Sequence, residues 1–496
     1  MTRALAATPV AGFAFMMALM LAMFAVQHGF VSDEMVRLWA GAAAAGDGDV
    51  SIGHIVATYP SIPFLPTVLI ALVTPDGAPV PALVSAGLFA LVAGLWFRSF
   101  RAANFPLIAA AIITLLLAFS PALLRATVGG PAELCLVLFL YLFGSALYDL
   151  RARSTTPEVM AVGLALLGLA FSHPIGAAIA FAAVPFLVFA VRPALVANSA
   201  LNVVVALVFP TVFAVGAFYY VSWVFPGAGW SFFAAPSESL STWSAGTARV
   251  FGNGFTGLPA LDTSVAIVIA LALGAPAAVV ALGMVHRRRP LIMPALVFAA
   301  TILTAAAITV ATGLVGDPSA IAVAAPVLTA IVVTRVPVVR ERIWLFVSLL
   351  GIGWFGGAAS LAIIDPATVA HVRAMIESSG GDLERLDALA VGGATVGHDG
   401  VLIDTDNAPA VVVGRGRVRG LFDPPSEPFG LALLFAKLDT PFVAVPDPQS
   451  NAGGNDRLNK AFPALYRHGA PGYRVIYQNT TWRLFAKSYD THVSKD

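Results

Sequence analysis

Residues 27–39 read QHGFVSDEMVRLW. Asp33 and Glu34 stand side by side directly after an apolar run at 11–30, in a chain of 496 residues that is 58% hydrophobic and 11% charged. Soluble globular proteins carry roughly 25% charged residues, so this composition excludes an ordinary soluble globule and predicts a polytopic α-helical membrane protein. The run before the pair has only Arg3 ahead of it and no small-residue cleavage pattern, and it reads as a retained signal anchor.

Working outward, charge divides the chain. Residues 1–364 hold fifteen arginines, no lysine and twelve acids, a net of +3, whereas residues 365–496 hold thirteen bases and fifteen acids, a net of −2. The expectation is a membrane domain over 1–364, with a first outer loop at 31–78, followed by a water-soluble α/β domain over 365–496. Neither part has the basic excess of a nucleic-acid binder, so nucleic acid is excluded as a partner. The single Cys135 lies in an apolar run and has no disulfide partner.

A bilayer core of about 30 Å needs roughly 20 apolar residues per helix. Eleven such runs stand at 11–30, 79–97, 104–122, 131–148, 157–172, 174–191, 198–224, 263–285, 290–314, 318–336 and 343–363, the fifth and sixth divided at His173-Pro174. Orienting them with the N-terminus in the cytoplasm places twelve of the fifteen arginines inside and leaves Arg37, Arg125 and Arg249 outside. Nine of the twelve acids, Asp33, Glu34 and Glu133 among them, fall on the outer side. An odd number of spans then exports the C-terminal domain, to the periplasm of a Gram-negative inner membrane. The segment 59–75, interrupted by Pro60, Pro63 and Pro66, reads as an interfacial or re-entrant helix on the outer face.

Ionisable groups at a membrane boundary are costly and default to a functional role. From the acidic pair the chain continues DEMVRLWAGAAAAGDGDVSIGHIVATYPSIPFLP over residues 33–66. This order resembles the first outer loop of the GT-C fold membrane glycosyltransferases, in the branch of the protein O-mannosyltransferases and the aminoarabinose transferase of lipid A. Met35 to Trp39 and Tyr59-Pro60-Ser61 match that pattern, Ser61 standing where the family has a second proline, and the likeness covers residues 10–200 in order and spacing.

The resemblance implies a polyprenyl-phosphate-linked sugar as donor and an envelope glycan, lipid or protein as acceptor, with transfer on the outer face. It makes Asp33 the base that takes the acceptor's proton and Glu34 its neighbour. An acceptor hydroxyl is a poor nucleophile, and a positioned carboxylate contributes perhaps 10²–10⁴-fold to its reaction. The departing phosphate calls for cations, and Arg37, Arg125 and Arg249 are the outer candidates in the membrane part. Glu133, His173 and Tyr59 complete the expected substrate contacts. Each has a structural alternative: Glu133 as an acid favouring a helix N-terminus, His173 as a cap at a helix break, and Arg125 as a head-group anchor. No HExxH, CxxC or histidine cluster occurs; the resemblance leaves open a divalent cation, Mg or Mn, and implies no other cofactor.

Two other function classes stay in view. A transporter or flippase would carry intramembrane charges and repeated spans, and a non-catalytic envelope polysaccharide assembly protein would tolerate loss of Asp33. In the C-terminal part, 366–379 and 382–390 read as helices, 408–413 as a strand, 428–438 as a helix, 442–445 as a strand, 456–469 as one helix and 472–487 as a hairpin turning at Asn479-Thr480. Arg415 to Gly420, RGRVRG, reads as an anion-binding cluster or a charged strand edge.

Overall fold

The computed structural model describes residues 7–47, 58–75, 77–224, 259–312, 318–365, 369, 373, 382–424 and 426–488. It divides into two compact units. One comprises residues 1–23, 56–65 and 82–373; the other comprises 24–55, 66–81 and 374–496.

The first unit is helical. Among the described residues six helices are long and apolar enough to cross a membrane, including Thr8–Gln27, Val80–Ala102, Pro131–Ala152 and Ile343–Ala362, and the number reaches eight if each bent pair counts as one span. Large apolar side chains stand exposed along them, including Met20, Phe213, Trp223 and Phe355. In water such surface would be a severe liability; in lipid it is solvated. A polytopic helical membrane protein is the architecture these features fit.

The helices differ from uninterrupted spans where proline stands. The expected run 104–122 forms Leu107–Ala118 and Pro121–Gly129, bent by 57°, and the run 263–285 breaks between Gly274 and Pro276 with a bend of 82°. A proline at the first helical position starts a new helix because it has no N–H to give to the old one. The first break frees the Phe119 carbonyl, which accepts a hydrogen bond from Trp354 Nε1 at 2.8 Å. The runs at 157–172, 174–191 and 318–336 form shorter apolar helices, Thr156–Ser172, Pro174–Ala190 and Ser319–Arg335. Residues 61–71 form an eleven-residue helix, too short to cross.

Arginine-rich ends expected on one side of the membrane meet in space. Arg335 donates to both carboxylate oxygens of Asp149, at 2.8 and 3.0 Å. Arg153 lies 3.3 Å from Glu158 and 3.7 Å from Asp149, and Arg151 donates to the Val191 carbonyl.

The second unit holds a five-stranded sheet in the order β2-β1-β3-β5-β4. Its strands are β1 (Val401–Leu402), β2 (Leu421–Phe422), β3 (Phe442–Pro446), β4 (Tyr473–Gln478) and β5 (Trp482–Lys487). β1 runs parallel to both β2 and β3, and β5 runs antiparallel to β3 and β4. Leu402, Phe429, Val443, Val445, Leu458, Leu465 and Phe485 form its core.

Three readings of this part are corrected. Residues 408–413 are not a strand: Pro409–Arg415 is a helix with Ala410, Val411, Val412 and Val413 all buried. Its β-branched run favours strand, but parallel neighbours such as β1 and β2 require a crossover between them, and this helix supplies it. Residues 456–469 form two short helices, Arg457–Ala461 and Leu465–His468, because Pro463 drives Phe462 out of helical geometry (φ −129°, ψ 69°). Arg415 is no exposed anion site: it is buried and donates to the carbonyls of Thr395, His398 and Arg419. The helix expected over 366–379 lies almost wholly outside the described residues.

Candidate functional site

The acidic pair opens the helix Asp33–Gly46. Ser32 caps it, its hydroxyl accepting from the Met35 N–H at 3.1 Å, so Asp33 and Glu34 occupy the first turn. Negative charge there complements the exposed N–H groups of the helix end. Met35, Val36, Leu38, Trp39 and Ala42 form the buried stripe, which packs on the helix Pro409–Arg415. That stripe turns the Asp33 side chain outward, 77% exposed, where the Arg385 guanidinium donates to its Oδ1. Glu34 is half-buried and Arg37 is exposed.

The far end of this helix is fixed as well. Asp47 Oδ2 accepts from the backbone N–H groups of Val418, at 2.5 Å, and Arg419, at 2.9 Å. Before the helix, Gly29 takes a left-handed φ of +73°, and a Cβ there would come within 3.2 Å of the Asp382 carbonyl and the Leu386 side chain. Asp33, Glu34 and Arg37 are therefore carried by the same compact unit as the C-terminal sheet. Sequence reading missed Arg385 and Asp47, and no local pattern marks either.

In the helical unit, Arg125 on the helix Pro121–Gly129 donates from Nη1 to Glu133 and from Nε to Asp365 Oδ2 at 2.8 Å. The three side chains are between 6% and 10% exposed. Two carboxylates share the one guanidinium. Buried ions in this arrangement stand or fall together, since removing one partner strands the other's charge. Gly129 makes room for it: any Cβ there would collide with the Glu133 carboxylate. Glu133 lies in the first turn of Pro131–Ala152, and Asp365, at the C-cap of Ile343–Ile364, joins the group only through the fold.

His173 is 3% exposed and caps the helix Pro174–Ala183, its Nδ1 accepting from the Ile175 N–H at 3.1 Å. An accepting Nδ1 carries no proton, so this ring is neutral with its hydrogen on Nε2. Tyr59 comes to the same helix break, its hydroxyl donating to the Ala170 carbonyl at 3.0 Å and its ring meeting Phe218 edge-on at 6.0 Å. Phe171 packs on the other side of Phe218, 5.6 Å between centroids. Arg249 and the aromatic residues Trp230, Phe232, Phe233 and Trp243 lie outside the described residues. Among the described residues, no group of three or more His, Cys, Asp or Glu side chains is placed to hold a metal ion.

No family model matches this chain, and no curated protein matches it.

Proposed function

We propose that this protein is an integral membrane glycosyltransferase of the GT-C type. It moves a sugar from a polyprenyl-phosphate donor to an envelope glycan, lipid or protein acceptor on the outer face of the inner membrane. In this reading eleven helices cross the membrane, counting bent and shorter segments, the N-terminus is cytoplasmic, and the C-terminal α/β unit is soluble and periplasmic. Asp33 takes the acceptor's proton and Glu34 stands beside it. Arg37 and Arg249 answer the departing phosphate, whereas Arg125 is held by Glu133 and Asp365, and His173 and Tyr59 are engaged at the helix break beside Pro174.

One observation carries the reading. The acidic pair opens a short, capped amphipathic helix immediately after the first membrane-length helix, with the Asp33 carboxylate open to solvent. A base must reach its substrate's proton, and an exposed carboxylate is reachable. Arg385 acts as a positioning residue in this scheme, holding Asp33 in one orientation.

The experiment is transfer of labelled sugar from a polyprenyl-phosphate donor in membranes bearing Asp33→Asn. Transfer is expected to fall by roughly 10²–10⁴-fold, the usual contribution of a general base, while the protein level is unchanged. Transfer at the parental rate removes Asp33 as the base.

The bent helix pairs and the buried trio of Arg125, Glu133 and Asp365 also fit a transporter or flippase, whose sites are built from broken helices and buried charges. Both carboxylates of the trio sit at helix ends, Glu133 in a first turn and Asp365 at a C-cap, which favours the transferase. A labelled lipid that crosses sealed vesicles without losing its sugar supports the alternative.

A further inference from the structure

The α/β unit has a feature that the transfer reaction does not use. From β1 the chain crosses through the helix Pro409–Arg415 to β2 on one side, and from β2 through the helix Glu427–Phe435 to β3 on the other. Strand order therefore reverses between β1 and β3. Open α/β sheets bind their ligands outside the carboxyl ends of the strands at such a switch point.

The loops leaving β1 and β3 converge there. Asp404, two residues past β1, accepts through Oδ2 from the Arg457 N–H at 2.9 Å and from Asn407 Nδ2 at 2.8 Å. Arg457 follows Asp456, which caps the helix Arg457–Ala461 by accepting through Oδ1 from the Asn459 N–H at 2.6 Å. Arg457 also reaches back to Asp406 at 2.9 Å, so both loops are tied by hydrogen bonds and an ion pair.

Three oxygens are left over. Asp404 and Asp456 are fully buried and Asn459 is 7% exposed, yet Asp404 Oδ1, Asp456 Oδ2 and Asn459 Oδ1 find no hydrogen-bond partner among the described residues. The Asn459 amide is oriented by its own donor, Nδ2, on the Pro446 carbonyl at 3.0 Å, which identifies Oδ1 as the open atom. A buried acceptor without a donor is costly, the more so when it is charged. With both carboxylates ionised all three are acceptors, so none can satisfy another, and a single water has only two protons to give. The Asp404–Arg457 and Asp456–Asn459 hydrogen bonds hold these side chains in one loop cluster, and an oxygen-only set with two carboxylates is what Mg²⁺ and Ca²⁺ take.

We propose that Asp404, Asp456 and Asn459 form a divalent-cation site at the switch point of the α/β unit, taking Mg²⁺ or Ca²⁺ and tying the loop after β1 to the loop after β3. The site is separate from Asp33 and independent of the transferase reading.

The test is titration of chelator-stripped full-length protein in detergent with Mn²⁺, followed by its electron paramagnetic resonance signal, with Mg²⁺ and Ca²⁺ as competitors. Parental protein is expected to bind one tight equivalent that either competitor displaces. Asp404→Asn and Asp456→Asn each weaken it by at least roughly tenfold, the loss that even an outer-shell change brings, whereas the surface variant Asp439→Asn binds as the parent does. Asparagine keeps the helix cap at 456, so Asp456→Asn reports on the site even if Asp404→Asn fails to fold. Absence of a tight equivalent in the parent overturns the proposal, and so does parental affinity in folded Asp456→Asn.

Discussion

A carboxyl group sealed from water keeps its proton until something offsets the cost of its charge. Asp456 is such a group: burial first, then the charge of Asp404, push its pKa up to about 7. Because the folded value lies above the unfolded one, this acid's full contribution to stability is present below about pH 4 and is lost as pH rises through about 7. In chelating buffer, Asp456→Asn is therefore expected to raise the melting temperature of the parent at pH 8, by an amount equivalent to roughly 3–4 kcal/mol at most, and to leave it unchanged near pH 4. A pH series of thermal unfolding curves checks this; a variant less stable than the parent at pH 8 in chelator contradicts it. At the same scale, the Asp33–Arg385 pair joins residues 352 positions apart. The acidic pair was visible in the chain because charge is scarce around it, whereas Arg385 sits in a charged stretch where nothing sets it apart.

At the scale of elements, the helices Leu383–Ala394 and Pro409–Arg415 touch backbone to backbone through two glycines. A Cβ on Gly392 would strike the Val411 carbonyl, and one on Gly414 would strike the Leu389 carbonyl. Backbone cannot swing aside as a side chain does, so Gly414→Ala is expected to force the helices apart and to destabilise this unit by about 1–3 kcal/mol, the usual range for overpacking. Alanine at Gly393, which faces open space on the same helix, is the control; there it should stabilise slightly, by lowering the entropy of the unfolded chain. Equal melting temperatures for the two variants would refute the close approach. The same contact explains why Ala410-Val411-Val412-Val413 is helical. Those side chains are enclosed between neighbouring elements, and their burial outweighs an intrinsic strand preference worth at most about 1 kcal/mol per residue.

For the whole molecule, the proposed topology makes a prediction that needs no activity. The native Cys135 is buried, so single cysteines can be introduced without replacing it. Ala436→Cys, exposed in the α/β unit, is expected to react with a membrane-impermeant maleimide added to intact spheroplasts. Arg288→Cys, exposed between Met284 and Leu291, should react only after permeabilisation. The reverse labelling would place the acidic pair in the cytoplasm, where an outer-face transferase has no use for it. Asp149, Arg153, Glu158 and Arg335 meet in one ion-pair cluster, and Arg125, Glu133 and Asp365 in another.

The amino-acid sequence by itself determined which stretches are apolar, that His173-Pro174 divides two of them, and that charge concentrates beyond residue 364. These are local properties: transfer of a side chain to lipid and the geometry of a proline ring depend on few neighbours. It also marked Asp33 and Glu34, because charge beside lipid is costly wherever the chain goes afterwards. Tertiary structure alone decided that Arg125 would be held by Glu133 and Asp365, that the helix of the acidic pair would join the C-terminal sheet in one compact unit, and that Asp404 and Asp456 would be buried within reach of each other's charge. Those pairings come from packing between segments far apart in the chain, and a contact of that kind leaves no period or motif in the residues that make it.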